Sequence, residues 1–298
     1  MKNKLLLGNV LGVSAFIIWG FLPLYWKLLG SINSFEIIAH RIILSFFTLV
    51  IIFLITKKTN IFAHFKNKKT LFGIIICGIM LLINWTIFIF ATLSGNVLEC
   101  SLAYYLNPII VIAFGVIFLH EPLGKMKLLS MILAIVGVLV LIFGYNKVPY
   151  YALVIGFSFA IYGLLKKRMK LDPYVGLFLE IIVMMVAAIG IEIYMFSTGM
   201  TVYNGGITSI SFLILLLLAG ILTVLPLVLY NTAINMVSLG NMGFIQFITP
   251  TMMFFIGVFV NGEPYTIMHT ISFSFIWLAV IIYCISLVIS SRQNKLSQ

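Results

Sequence analysis

This sequence predicts an all-α polytopic membrane protein of ten transmembrane helices, arranged as two inverted five-helix repeats. Three observations point there. Only 8% of its 298 residues are charged while 63% are hydrophobic, against about 25% charged in a soluble chain, so lipid must serve as its solvent. Apolar runs that could cross about 30 Å of hydrocarbon, which takes about 20 residues, recur along the whole chain. The two halves also copy each other. At an offset of 142 positions Pro250 repeats Pro108, Gly257 repeats Gly115, Glu263-Pro264 repeats Glu121-Pro122, Ala233 repeats Ala91 and Tyr230 repeats Phe88.

The first span covers residues 5–26. Its Met1-Lys2-Asn3-Lys4 start imitates a signal peptide, but the apolar run passes Trp19 with no small-x-small site, so a permanent span is expected. The second, 35–56, opens on Glu36, His40 and Arg41. The third, 71–93, carries Asn84-Trp85, and the fourth, 98–119, carries Tyr104, Asn107 and Pro108. The short fifth and sixth spans, 128–144 and 149–165, meet at Tyr145–Val148, which divides the chain into repeats 1–147 and 148–298. Spans at 174–196, 211–234, 239–260 and 267–289 complete the second copy. Run length selects helices, since barrel strands are short and alternating.

Orientation follows from the basic residues. Fifteen of the 18 Lys and Arg fall in alternate connections that include both termini; Lys27 and Lys147 lie opposite, and Arg41 lies within a span. Both termini are therefore expected in the cytoplasm. The lysine clusters, such as Lys166, Lys167, Arg168 and Lys170, read as topology signals, which also makes nucleic acid an unneeded explanation of the +11 net charge. Five spans per copy insert the second copy upside down, the architecture of alternating-access carriers with a site near the midplane.

Ionisable groups are expensive inside a bilayer and so mark candidate sites. Glu36 and His40, four apart, share a helix face. Arg41 points elsewhere around the helix, where it could meet a carboxylate on another span; Glu180, the deepest carboxylate, is expected as its partner or as a proton carrier. Together Glu36, His40, Arg41 and Glu180 form the expected polar, proton-linked cluster; a structural ion pair at the outer interface is the plainer explanation. Glu99 suits a helix start, and Glu192 suits the interface. Trp19, Tyr25, Asn84, Trp85, Tyr104, Asn107, Tyr162, Asn231 and Gln246 are expected to line a cavity with stacking surfaces and few fixed charges. Headgroup belts or interhelical bonds are their structural alternative. Pro108 and Pro250 free carbonyls four residues earlier and are expected at hinges.

No cofactor, metal site or catalytic group is expected. Cys77, Cys100 and Cys284 have no ligand spacing, His120-Glu121-Pro122-Leu123-Gly124 lacks the second histidine of a zinc helix, and no phosphate loop occurs.

Several motifs resemble the RarD family of the EamA-type branch of the drug/metabolite transporter superfamily. They include Trp19-Gly20-x-x-Pro23-x-Tyr25-x-Lys27, Glu36-x-x-x-His40-Arg41, Asn84-Trp85 and Glu99-x-Ser101-Leu102-x-Tyr104-x-x-Asn107-Pro108. In the second half Ser158-Phe159-Ala160-x-Tyr162-Gly163-Leu164, Glu180, Gly243-Phe244-x-Gln246-Phe247-x-x-Pro250-Thr251 and Phe275-Ile276-Trp277 extend the likeness. The resemblance implies a ten-helix basket whose cavity is lined by spans 1, 3, 4, 6, 8 and 9. It leaves spans 5 and 10 as peripheral packing or homodimer helices. The expectation is a multi-pass plasma-membrane exporter of small amphipathic metabolites or drugs, a secondary transporter with proton coupling as one option. A sensor or assembly component, and a lipid flippase, are the alternatives.

Overall fold

The computed structural model describes residues 2–29, 32–56, 67–93, 97–145, 148–201, 210–260 and 266–296. These residues form helices α1 (Lys2–Leu28), α2 (Ser34–Thr56), α3 (Lys68–Leu93), α4 (Val97–Leu119), α5 (Lys125–Tyr145) and α6 (Tyr150–Met169). They continue as α7 (Pro173–Thr198), α8 (Ile210–Ile234), α9 (Leu239–Gln246), α10 (Ile248–Phe255), a π-helical turn (Ile256–Val260) and α11 (Ile267–Leu296). No strand occurs among the described residues. Glu263-Pro264, Lys57, Lys58, Lys66 and Lys147 lie outside them, as does the side chain of Glu99.

Among the described residues nine segments are long and apolar enough to span a bilayer, with Leu239–Val260 counting as one. The tenth is α6, which Lys166, Lys167 and Arg168 make less apolar, although its 20 residues still extend about 30 Å. Ten crossings return the C-terminus to the face where the chain began, here called the terminal face; the opposite one is the distal face.

Local chemistry sets the helix ends. Asp172 caps α7 by accepting from the backbone N–H groups of Tyr174 and Val175, ahead of Pro173 at the first helical position. Gly199 ends the same helix in the left-handed region, at φ 70°. Pro108 leaves α4 continuous, whereas the matched ninth span breaks at Phe247, three residues before Pro250. One proline is thus absorbed within a helix and its counterpart sits beside an interruption.

The packing obeys an exchange of the two copies. α1 packs on α8 as α6 packs on α3; α4 packs on α6 as α9 and α10 pack on α1; α2 packs on α8 as α7 packs on α3. The pairs α2–α7, α4–α9 and α5–α11 are their own counterparts. This pattern is the signature of a two-fold relation between the copies, and an odd number of crossings per copy lays its axis in the membrane plane.

Candidate functional site

A cavity of about 360 Å³ opens between the repeats, within the range of about 300–1,000 Å³ typical of small-molecule sites. Its lining residues occupy the second half of α1 and α3 and the first half of α2, α4 and α6. Since alternate helices run in opposite directions, all of these belong to the distal half of the bundle. α8, α9 and α10 add Thr223, Leu227, Gln246, Thr249 and Met253 near the middle.

Of the residues expected here, Trp19, Asn84, Trp85, Tyr104, Asn107 and Gln246 line the cavity. Tyr162 and Asn231 sit in full burial beneath it, and Tyr25 hydrogen-bonds the Leu215 carbonyl across to α8. The span set differs by one, because α2 also contributes, through Arg41. Phe16, Trp26, Phe159 and Thr223 were not foreseen. Aromatic spacing on α1 was a usable signal for Phe16 and Trp26; nothing in the sequence marked Thr223.

The polar lining is held by backbone carbonyls exposed on α6. Asn84 donates to the Ile155 carbonyl at 2.8 Å and to Ser158 Oγ at 3.1 Å, and Asn107 donates to the Gly156 carbonyl at 2.8 Å. Because that carbonyl can only accept, the Asn107 amide is fixed with its oxygen turned to Gln246 Nε2, which donates to it. Gln246 Oε1 is then left buried with no hydrogen-bond partner. Beneath lies an aromatic floor, in which Tyr230 contacts Trp19, Phe159 and Phe16 at ring-centroid distances of 5.7, 5.3 and 5.9 Å.

The four ionisable groups expected as one cluster occupy three places. Glu36 and His40 face α7 and the chain after it: Thr201 donates to Glu36 Oε1 at 2.6 Å, and His40 Nδ1 lies 3.4 Å from Glu192 Oε1. Arg41, one residue further, is turned by about 100° around the helix, a consequence of its 3.6-residue turn, and enters the cavity. Its guanidinium lies between two indoles, 4.5 Å from Trp26 and 4.3 Å from Trp85, and its Nε donates to Thr223 Oγ1 at 3.2 Å. Glu180 pairs not with Arg41 but with Lys166, at 2.8 Å. Both partners are buried, 0% and 4% exposed, so Lys166 is no mere topology signal. The Tyr162 hydroxyl lies 2.9 Å from Asn231 Oδ1 and 3.3 Å from Glu180 Oε2. Lys166 follows Tyr162 by four residues and shares its buried face, a spacing the sequence displayed.

Further bonds close the terminal half. Glu121 accepts from the N–H groups of Leu239 and Gly240 at 2.6 and 2.8 Å, capping α9 from the opposite repeat. The chain reaches that position because His120 takes a left-handed conformation (φ 52°) after α4 and the Glu121 N–H returns to the Gly115 carbonyl at 3.0 Å. Lys167 donates to the carbonyls of Ile234 and Val237, and Arg168 to that of Phe118 at 2.8 Å.

As for metals, the ligand atoms of Glu36, His40 and Glu192 lie within 4.8 Å of one another. His40 Nδ1 also lies 2.7 Å from the Glu36 backbone carbonyl, so that nitrogen is already engaged within its own helix.

Two segments, residues 6–143 and 147–285, match the model of the EamA-like transporter family. The chain is 36% identical over 292 residues to an uncharacterized transporter, YojE, of Bacillus subtilis, covering 97% of each. It is 33% identical over 290 residues to the protein RarD of Escherichia coli, again covering 97% of each. A crystal structure of another protein superposes with a TM-score of 0.68 over 92% of this chain and 96% of that one, at 13% identity, a likeness of fold alone.

Proposed function

The chain belongs to the EamA-like transporter family, on its RarD branch, and from that premise we propose a secondary carrier that exports small amphipathic solutes across the cell membrane by alternating access. One observation carries the proposal. A cavity reaches the middle of the bundle through its distal half, while Glu121 and Arg168 bond across the repeats and the Lys166–Glu180 pair sits buried within the second one, all in the terminal half. Such an arrangement is one of the two states that an inverted-repeat carrier must exchange.

With both termini in the cytoplasm, as the basic-residue asymmetry supports, this conformation faces outward. Its aromatic walls and amide groups suit a solute with a planar apolar body and a few polar groups. Proton linkage is assigned to Glu36, His40 and Glu192, three ionisable groups whose ligand atoms lie within 4.8 Å of one another inside the bundle. The Lys166–Glu180 pair is the second candidate, since exchanging the two states must expose it to water.

Flux into proteoliposomes, measured with and without a pH gradient, tests both parts. Solute movement against its own gradient, driven by pH and lost in His40→Ala, supports a proton-coupled carrier. Flux that ignores pH in the parent removes proton coupling and leaves a uniporter, whereas pH-driven flux unchanged in both His40→Ala and Glu180→Gln removes the assignment of coupling to these residues. A thermal-shift screen of the purified protein supplies the solutes to try, because a ligand stabilises the state it binds.

A further inference from the structure

Taking the carrier reading as premise, we infer that the solute is an organic anion, with its negative group read by Arg41 and an N–H or O–H donor elsewhere on it read by Gln246. The cavity is built around a positive charge that the described part of this chain does not neutralise. Of the seven acidic residues, Glu180 is held by Lys166, Glu121 caps α9, Asp172 caps α7, and Glu36 and Glu192 face His40. The side chains of Glu99 and Glu263 lie outside the described residues. Among described residues Arg41 is the one charged group on the cavity wall.

The geometry selects an anion of particular shape. The guanidinium carbon lies 4.5 Å from the Trp26 ring centroid and 4.3 Å from that of Trp85, a favourable arrangement for a cation in which the rings offer it no hydrogen-bond acceptor. The edge of the guanidinium remains. Of five N–H donors, the one on Nε is spent on Thr223, leaving the pair of terminal nitrogens in a plane that matches a carboxylate bidentately. A cation in a membrane cavity without a counter-charge is costly, and an arriving carboxylate would remove that cost.

Gln246 supplies a second, independent constraint. Its Oε1 is buried and unpartnered, and the Asn107 amide fixed by the Gly156 carbonyl prevents it from turning that oxygen away. It waits for a donor. Between these points the wall is aromatic, with Trp19, Phe88 and Phe159 among its members. A planar acid carrying one hydroxyl or N–H group satisfies all three constraints, whereas a neutral amide of the same shape leaves Arg41 unpaired.

Matched probes separate the charge from the shape. 4-Hydroxybenzoate, 4-hydroxybenzamide and 4-hydroxybenzylamine, with indole-3-acetate and its amide as a larger pair, are titrated against the full-length protein in nanodiscs, reading tryptophan fluorescence and thermal shift. The acids should bind at least about tenfold more tightly than their amides, and Arg41→Gln should abolish that preference while Arg41→Lys retains part of it. Gln246→Leu should weaken 4-hydroxybenzoate more than unsubstituted benzoate. Glu99→Gln should leave anion affinity within about threefold; a rise of about tenfold would mean that this chain supplies the counter-charge and would overturn the inference. Equal binding of acid and amide, or no binding of either, overturns it too. Flux distinguishes the premise: neutral solutes moving while acids are refused would spare the carrier and sink the anion. Arg41-dependent acid binding without any flux would do the reverse.

Discussion

The distal and terminal halves of this bundle are built from the same five-helix unit, yet they differ in how they are held. The distal half encloses a cavity whose amides bond to backbone carbonyls of α6 and whose one cation among the described residues, Arg41, lies against two indoles. The terminal half carries a buried ion pair, a carboxylate cap between repeats and basic side chains bonded to helix-end carbonyls. On the carrier reading proposed above, backbone symmetry permits two equivalent states and side-chain bonds select between them. The same reading assigns stability to the closed half and recognition to the open one.

That division can be broken experimentally, and the sharpest attempt is on the ion pair. Lys166→Met leaves Glu180 as an uncompensated buried charge and should cost about 3–5 kcal/mol of stability. The double variant Lys166→Met/Glu180→Leu should recover most of it. Denaturant unfolding of the two side by side decides the matter, and a single variant as stable as the parent would show that the pair does not hold the terminal half.

The carboxylate cap comes next. Glu121→Ala removes the acceptor for two backbone amides and should cost about 2 kcal/mol, directed at the terminal half. Cys77, buried on α3 in that half, is a built-in reporter once Cys100 and Cys284 are replaced by serine. Its alkylation should accelerate in Glu121→Ala and stay unchanged in a cavity variant. Gly115→Ala should imitate it, because a Cβ there would stand 2.8 Å from Glu121 Oε2 and 3.1 Å from the Gly240 nitrogen.

On the distal side Asn84→Ala should cost only about 1 kcal/mol, since the Ile155 carbonyl it releases still accepts from Ser158. Solute binding should suffer more than stability. An effect of similar size and opposite sign is expected at His120, where glycine in place of a left-handed residue should gain about 1 kcal/mol. Thermal unfolding and solute titration on the same samples check both.

Much of this was legible in the chain. The spans foreseen at 35–56, 98–119 and 211–234 match α2, α4 and α8 to within a residue, because a bilayer dictates the length and composition of whatever crosses it. The repeated Gly115 also found its reason in the close approach of Glu121 and Gly240. The expected cluster of Glu36, His40, Arg41 and Glu180 did not hold together. Helix spacing separates Arg41 from its neighbours in a way that could be anticipated, but it does not say which distant group each side will meet.

By itself, then, the sequence determined ten crossings, their duplication and their opposed insertion, since these follow from hydrophobic length, basic-residue placement and an odd number of spans per copy. Only the tertiary structure decided that Lys166 neutralises Glu180, that Arg41 stands between Trp26 and Trp85, and that Glu121 caps a helix of the other repeat. Lipid acts on each segment separately and leaves its mark locally. A buried charge finds its partner through packing between helices that lie far apart along the chain, where no local pattern records the choice.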